Sequence, residues 1–161
     1  MTPKRGGVVT PKEALAQLGY ALSEPLAPRG RYAVTREHGG TLWVSGHTGR
    51  GPDGLRVRGT VGVDVTVAEA VEEARRAAVN LLSAVEAAVG LDRVECILHL
   101  RGYVRADPSF TEHPAVVDGA SHLLAEVLGD RGAAARTAVG VASLPGGAAV
   151  ELEMVVALRP E

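Results

Sequence analysis

The sequence is short of aromatic rings, cysteine, long apolar runs and net charge, and each shortage excludes something. Aromatic residues make up 3% of the 161 residues, with one Trp, three Tyr and one Phe. A core without rings must be filled by Val, Leu and Ala, each of which buries less area. A lone domain built this way is less secure, which raises the expectation that apolar surface is buried against copies of the chain. The single cysteine, Cys96, excludes an intrachain disulfide and suits a reducing cytoplasm, the expected location. No run of about 18 apolar residues occurs, so neither a transmembrane helix nor a membrane partner is expected. Met1–Gly7 is basic with no apolar segment behind it, and no secretory signal is expected. A formal charge of −2 offers no concentrated basic patch, so no nucleic-acid partner is expected either.

What is present is an ordinary hydrophobic fraction, 46%, and 20 glycines, an excess over the usual share of about 7%. At this length one domain is expected. Thr10-Pro11-Lys12-Glu13 has the cap, proline and acidic first turn of a helix start, followed by Ala14, Leu15 and Leu18 and a stop at Gly19. Residues 23–31, with two prolines, read as an extended linker. Tyr32 to Glu37 and Thr41 to Ser45 read as strands around the turn His38-Gly39-Gly40. Residues 46–62 are loop-rich, with glycine at 46, 49, 51, 54, 59 and 62.

The clearest element is a helix from Val67 to Val89. Thr66 and Glu69 form a capping box, Val67, Val71, Ala74, Ala78, Leu81, Leu82 and Val85 form one stripe, and Gly90 supplies the stop. From Val94 to Arg105, Val94, Cys96, Leu98, Leu100, Gly102 and Val104 alternate with Glu95, Ile97, His99, Arg101, Tyr103 and Arg105. Period two predicts a long strand with the first set in the core. A second helix fits Thr111 to Leu128. Two final strands, Arg136 to Leu144 and Ala148 to Ala157, flank the turn Pro145-Gly146-Gly147. The order β-β-α-β-α-β-β after a leading helix predicts an α+β fold with two main helices on one face of a mixed sheet. Residues 1–27 read as an N-terminal helix and linker, and 28–161 as a single domain.

Three arrangements bear on chemistry without establishing it. Gly49-Arg-Gly51-Pro-Asp-Gly54 matches G-x-G-x-x-G, but Pro52 and the sequence beyond it start no helix, so a loop is expected rather than a dinucleotide site. The five histidines (38, 47, 99, 113 and 122) include no i, i+4 pair, and no metal is expected. Ser45 and His47 lack a third residue to orient them as a hydrolase triad. The C-terminal stretch says more, because it sets Arg136, Glu151 and Glu153 within apolar strands. Charge there is costly unless paired or functional. Either Arg136 pairs with Glu151 or Glu153 across a hairpin, or its fork is reserved for a small carboxylate ligand.

The run Arg136-x-x-Val139-x-Val141-x-x-Leu144-Pro145, with Val150-Glu151-x-Glu153 beyond it, closely resembles the C-terminal signature of the Rid (YjgF) family. Its best-known members are reactive imine and enamine deaminases, and it carries the older label endoribonuclease L-PSP or translation inhibitor. Gly30-Arg-Tyr32, Trp43-Val44-Ser45-Gly46, the stretch from Asn80 to Gly90, and Val117-Asp118-Gly-Ala-Ser121 extend the likeness over about residues 28–158. The resemblance implies a chorismate-mutase-like α+β fold, assembled as a homotrimer with clefts between subunits. It implies that Arg136 holds a substrate carboxylate and that Glu151 orients the hydrolytic water, with Glu153 on the same face. It also implies that Tyr32 closes the pocket and that Ser45, Asp118 and Ala138 line it. Asp118 stands where deaminating members usually have asparagine, and either neutralises Arg136 internally or faces water. Ala138 stands where cysteine is frequent. The leading helix and the insertion at 111–115 resemble a longer-chain subgroup.

The function so implied is cofactor-independent hydrolysis of imines or enamines of 2-oxo acids. Fixing the carboxylate orients the electrophilic carbon of the C=N bond, and one positioned water attacks it. The alternative is a non-catalytic trimer that binds a small carboxylate metabolite. Ribonuclease action is a third reading with no phosphate track or stacking platform behind it.

Overall fold

The computed structural model describes residues 9–160, so the Met1–Gly7 stretch lies outside them. The leading helix α1 spans Pro11–Gln17 and starts on a capping box in which Thr10 and Glu13 each accept the other's backbone N–H. It is anchored by Leu15, fully buried, and by Lys12, which meets Glu86 at 2.6 Å. The chain then crosses the domain as a strap without regular structure to residue 34. The Tyr20 hydroxyl donates to Glu72 at 3.0 Å, and the Ser23 N–H to the Ser83 hydroxyl at 3.2 Å.

Strands β1 (Thr35–His38) and β2 (Thr41–Thr48) form the expected hairpin. Its turn residues, Gly39 and Gly40, have φ of 57° and 73°. Two successive positive φ values match the twist of a two-residue hairpin turn, and only glycine adopts them without strain. After the glycine-rich loop, helix α2 (Val67–Ala88) begins on the predicted Thr66–Glu69 capping box. Its inner face is made largely of small side chains: Ala70, Ala74, Ala77 and Ala78 are fully buried beside Leu81 and Val85. Val67 and Val71, expected in that stripe, are only half-buried.

Strand β3 (Val94–Arg105) corrects the predicted alternation. Its register with β5 (Val150–Leu158) shifts between Val94 and Cys96 and again between Ile97 and His99. Each extra residue reverses the faces of the residues beyond it. Ile97 is therefore 2% exposed and Leu98 43%, the reverse of a regular period two.

Helix α3 (His113–Leu128) leads to β4 (Ala135–Val141), which runs parallel to β3, as a helical crossover allows. The sheet order is β1-β2-β5-β3-β4. Strands β4 and β5 are thus not the hairpin that the intervening Pro-Gly-Gly turn suggests; β3 lies between them. Helices α2 and α3 pack on each other and on one face of the sheet. That layer holds the core. The opposite face is uncovered, and it carries Trp43, Leu98 and Val139, which are 58%, 43% and 40% exposed.

Candidate functional site

Glu151 lines a cavity of about 560 Å³ that also has Tyr32, Ser45, His47, Arg29 and Arg50 in its walls. Alternation along β5 decides which carboxylate reaches it. Val150, Leu152 and Met154 are buried under the helices, so Glu151 and Glu153 share the other face. Glu153 is committed elsewhere: it bonds the Arg101 guanidinium and accepts from the Tyr103 hydroxyl at 3.3 Å. Glu151 has no hydrogen bond or ion pair among the described residues. Burial, reinforced by the nearby Glu153 charge, pushes its carboxyl above the usual carboxylate range.

The opposite wall is shaped by an irregularity in β2. The register with β5 slips between Val44 and His47, which leaves Ser45 and Gly46 as the bulge. A side chain at Gly46 would overlap the Glu151 carboxylate, so glycine there is what lets the acid lie against the strand. The Ser45 hydroxyl donates to the Ala33 carbonyl at 2.7 Å, and the His47 ring meets the Ser45 carbonyl through Nδ1 at 2.7 Å. Burial pushes the His47 imidazole below its usual value, with the Ser45 bond acting against the shift. Serine and histidine therefore do not face each other as a nucleophile and its base.

Arg136 lies elsewhere. In the parallel pair it stands beside Leu100, which is buried on the helix side, whereas Thr137 stands beside Arg101 on the open side. Arg136 thus projects from the edge strand toward α3, where it donates to Asp118 at 2.6 Å and to the Ser121 hydroxyl at 3.0 Å. The expectation of a cross-hairpin pair with Glu151 or Glu153 is corrected, because β3 intervenes and Asp118 takes the arginine instead. Asp118 does not simply face water. Ala138 shares the helix-side face and packs against the core. Within one chain, Tyr32, Ser45 and Glu151 come together in the cavity, while Arg136, Asp118 and Ala138 do not join them.

Two contributors were not legible as site residues. The strap from Ser23 to Arg29 forms one wall of the cavity, though its sequence reads only as a linker. Its two prolines were the available signal, since they hold a segment extended. Asn80 donates through its amide to the Thr48 and Arg50 carbonyls at 2.8 and 2.9 Å, clamping the loop after β2 onto α2. Among the described residues no group of three or more His, Cys, Asp or Glu side chains is placed to hold a metal ion. No helix among them is long and apolar enough to cross a membrane.

A family model described as "YjgF/chorismate_mutase-like, putative endoribonuclease" matches residues 12–154. The chain belongs to the YjgF family. The match starts inside α1. Protein TCP17 of Trypanosoma cruzi is 41% identical over 147 residues, covering 90% of this chain and 92% of its own. Among solved structures, an Agrobacterium tumefaciens protein of unknown function superposes with a TM-score of 0.87 at 38% identity, covering 94% of both chains. A Shewanella oneidensis protein named as a "putative endoribonuclease" gives 0.89 at 31% identity, covering 92% of this chain and 99% of that one. RidA from an Antarctic Psychrobacter gives 0.58 at 24% identity, covering 96% and 100%, a likeness of fold alone. The YjgF fold is thus shared with RidA, and the first two structures match this chain more closely.

Proposed function

We propose that the chain is a cofactor-independent hydrolase that deaminates small imines or enamines of 2-oxo acids, in cavities completed by neighbouring copies of a homotrimer. The observation that carries this reading is Glu151, an unpartnered carboxyl with a raised pKa facing a cavity it shares with Tyr32 and Ser45. Perturbed carboxyls in clefts are the groups expected to handle protons. The same chain carries Arg136 at the family's spacing from Glu151, but on the other side of the sheet, so its guanidinium serves a neighbour's cavity. There it takes the substrate carboxylate bidentately and fixes the C=N carbon in front of a water held by Glu151. The uncovered sheet face, with Trp43 and Leu98 exposed, is the surface on which the copies meet. The localisation that fits this reading is the cytoplasm, where amino-acid chemistry releases such imines.

The test generates 2-iminopropanoate or 2-iminobutanoate in situ and tracks its disappearance. Faster decay with the protein than in buffer, lost in Arg136→Ala and in Glu151→Gln, is the expected result. Decay equal to buffer for every form overturns the reading.

The Arg136–Asp118 contact favours a second reading, a non-catalytic trimer that binds a carboxylate metabolite. Ligand-induced melting shifts without turnover distinguish it, because binding alone stabilises by mass action.

A further inference from the structure

We propose that Arg105, with Arg58 and Arg29, forms an anion subsite beside Glu151, and that the substrate is a 2-imino diacid whose second carboxylate is held there. The substrate class rests on the deaminase reading above, whereas the subsite rests on geometry. Arg105 is the last residue of β3, and the β3–β5 register is unbroken from His99 to Val104. The Arg105 N–H continues it by donating to the Ala149 carbonyl at 2.9 Å. Val104 and its partner Val150 are buried under the helices, so Arg105 and Tyr103 share the open face of the sheet. Tyr103 stands directly opposite Glu151. Arg105 and Glu151 are therefore diagonal neighbours on one face of adjacent strands, about 7–8 Å apart and within reach of a long side chain.

The turn Pro145-Gly146-Gly147 brings two more arginines to that end of the sheet. Pro145 lines the Glu151 cavity. The Gly146 carbonyl accepts from the Arg58 guanidinium at 3.0 Å. Arg58 is held there by its backbone, which bridges to Ala148, and by the Gly59 N–H, which donates to the Gly147 carbonyl at 3.1 Å. A side chain at Gly147 would begin 3.5 Å from the Arg105 Nη1, and one at Gly146 would begin 3.9 Å from the Arg29 Nη1. Both glycines have positive φ, 67° and 78°, which disfavours any side chain there and keeps that space open.

Three like charges thus gather without an acid. Among the described residues none of the three is in an ion pair, and the Arg105 Nε is sealed from solvent with no hydrogen-bond partner. Stripping water from a guanidinium is costly unless an anion compensates it, and a carboxylate matches its fork. A monoacid imine, its carboxylate on Arg136 of a neighbouring copy, leaves these cations unused. A diacid engages both places. Two residues along a strand span about 7 Å, an interval that two methylenes beyond the C=N carbon and a carboxylate–guanidinium contact fill. The 560 Å³ cavity accommodates that longer chain. Hydrolysis is unchanged in its balance: water adds to the C=N carbon, ammonia leaves, and the second carboxylate passes through unaltered.

Calorimetry with 2-oxoglutarate and 2-oxobutanoate, the products of a diacid and a monoacid imine, tests this. The parent should bind 2-oxoglutarate more tightly by about tenfold or more, the worth of one charge-assisted contact. Arg105→Met should lose that preference while binding 2-oxobutanoate as before, and Arg105→Lys should keep part of it, since the charge remains without the fork. With imines made in situ by an amino-acid oxidase, Arg105→Met should raise KM for 2-iminoglutarate and leave kcat little changed. Equal binding of the two acids by the parent, or a preference that survives in Arg105→Met, overturns the subsite; turnover of 2-iminobutanoate then leaves the deaminase reading intact. A parent that turns over neither imine, yet prefers 2-oxoglutarate through Arg105, overturns the deaminase reading and keeps the subsite. If Arg105→Met melts early, Arg58→Gln, at an exposed position, carries the same comparison.

Discussion

Breaking the Arg136–Asp118 pair tests whether the arginine is held back from a ligand. The two groups lie 2.6 Å apart, with side chains 24% and 46% exposed. Solvent reaches such a pair, and pairs of this kind contribute about 0.2–1 kcal/mol. The partly buried guanidinium and its added bond to Ser121 place it near the upper end, about 0.8 kcal/mol. A ligand carboxylate that takes Arg136 must displace Asp118 and forfeits that amount, which is about fourfold in affinity. Asp118→Asn removes the charge at constant size. A cycle of Arg136→Met, Asp118→Asn and the double variant, measured by urea melts, should return a coupling of about 0.8 kcal/mol. Calorimetry with 2-oxobutanoate should show Asp118→Asn binding about fourfold tighter, with the gain shrinking as salt rises. A coupling below about 0.2 kcal/mol, or weaker binding by Asp118→Asn, refutes the idea of an internal competitor.

The same geometry sets the outcome of three other substitutions. Thr66→Ala removes the α2 capping box and should cost about 1 kcal/mol in a urea melt, with no change in cavity chemistry. Trp43→Glu places a charge on the uncovered sheet face, and sedimentation should shift from a trimer mass to that of one chain; an unchanged mass would remove that face from the interface. Glu151→Gln should melt higher than the parent at pH 8 and equal to it at pH 4. The sign comes from the raised folded-state pKa: the folded chain keeps a proton that the unfolded chain releases, so this stabilising contribution is full below 4.5 and lost as pH rises through the folded value. A parent that gains stability from Glu151 between pH 5 and 8 would contradict the shift.

The helices were legible because their signals are local. A capping box, an apolar stripe and a glycine stop lie within one segment, and α2 formed on all of them. Pairing was less legible because it depends on distant residues. Pro145-Gly146-Gly147 is a turn sequence, yet nothing within it reveals that β4 has already paired in parallel with β3. Likewise, strict alternation from Val94 onward conceals two bulges, which show only in the pairing with β5. Of the candidate site, Tyr32, Ser45 and Glu151 were placed by family spacing and meet in one cavity. His47 was visible only as a neighbour of Ser45, since the bulge that sets it opposite Leu152 depends on the pairing with β5.

The face reached by Arg136 connects the shortage of rings to the split site. A parallel neighbour puts Arg136 beside Leu100, and so on the helix side, while antiparallel pairing puts Glu151 beside Tyr103 on the open side. No rotamer brings the two side chains through the sheet to one ligand. A single chain therefore has the acid and the cation of the proposed reaction but cannot apply both to one substrate. The same chain leaves Trp43, its only tryptophan, exposed on the face nearest the acid. Under the deaminase reading these are one fact, because a second copy that covers Trp43 brings its own edge strand, with Arg136 upon it, to the mouth of the cavity. Loss of assembly in Trp43→Glu should then abolish turnover even though every proposed catalytic side chain is still present.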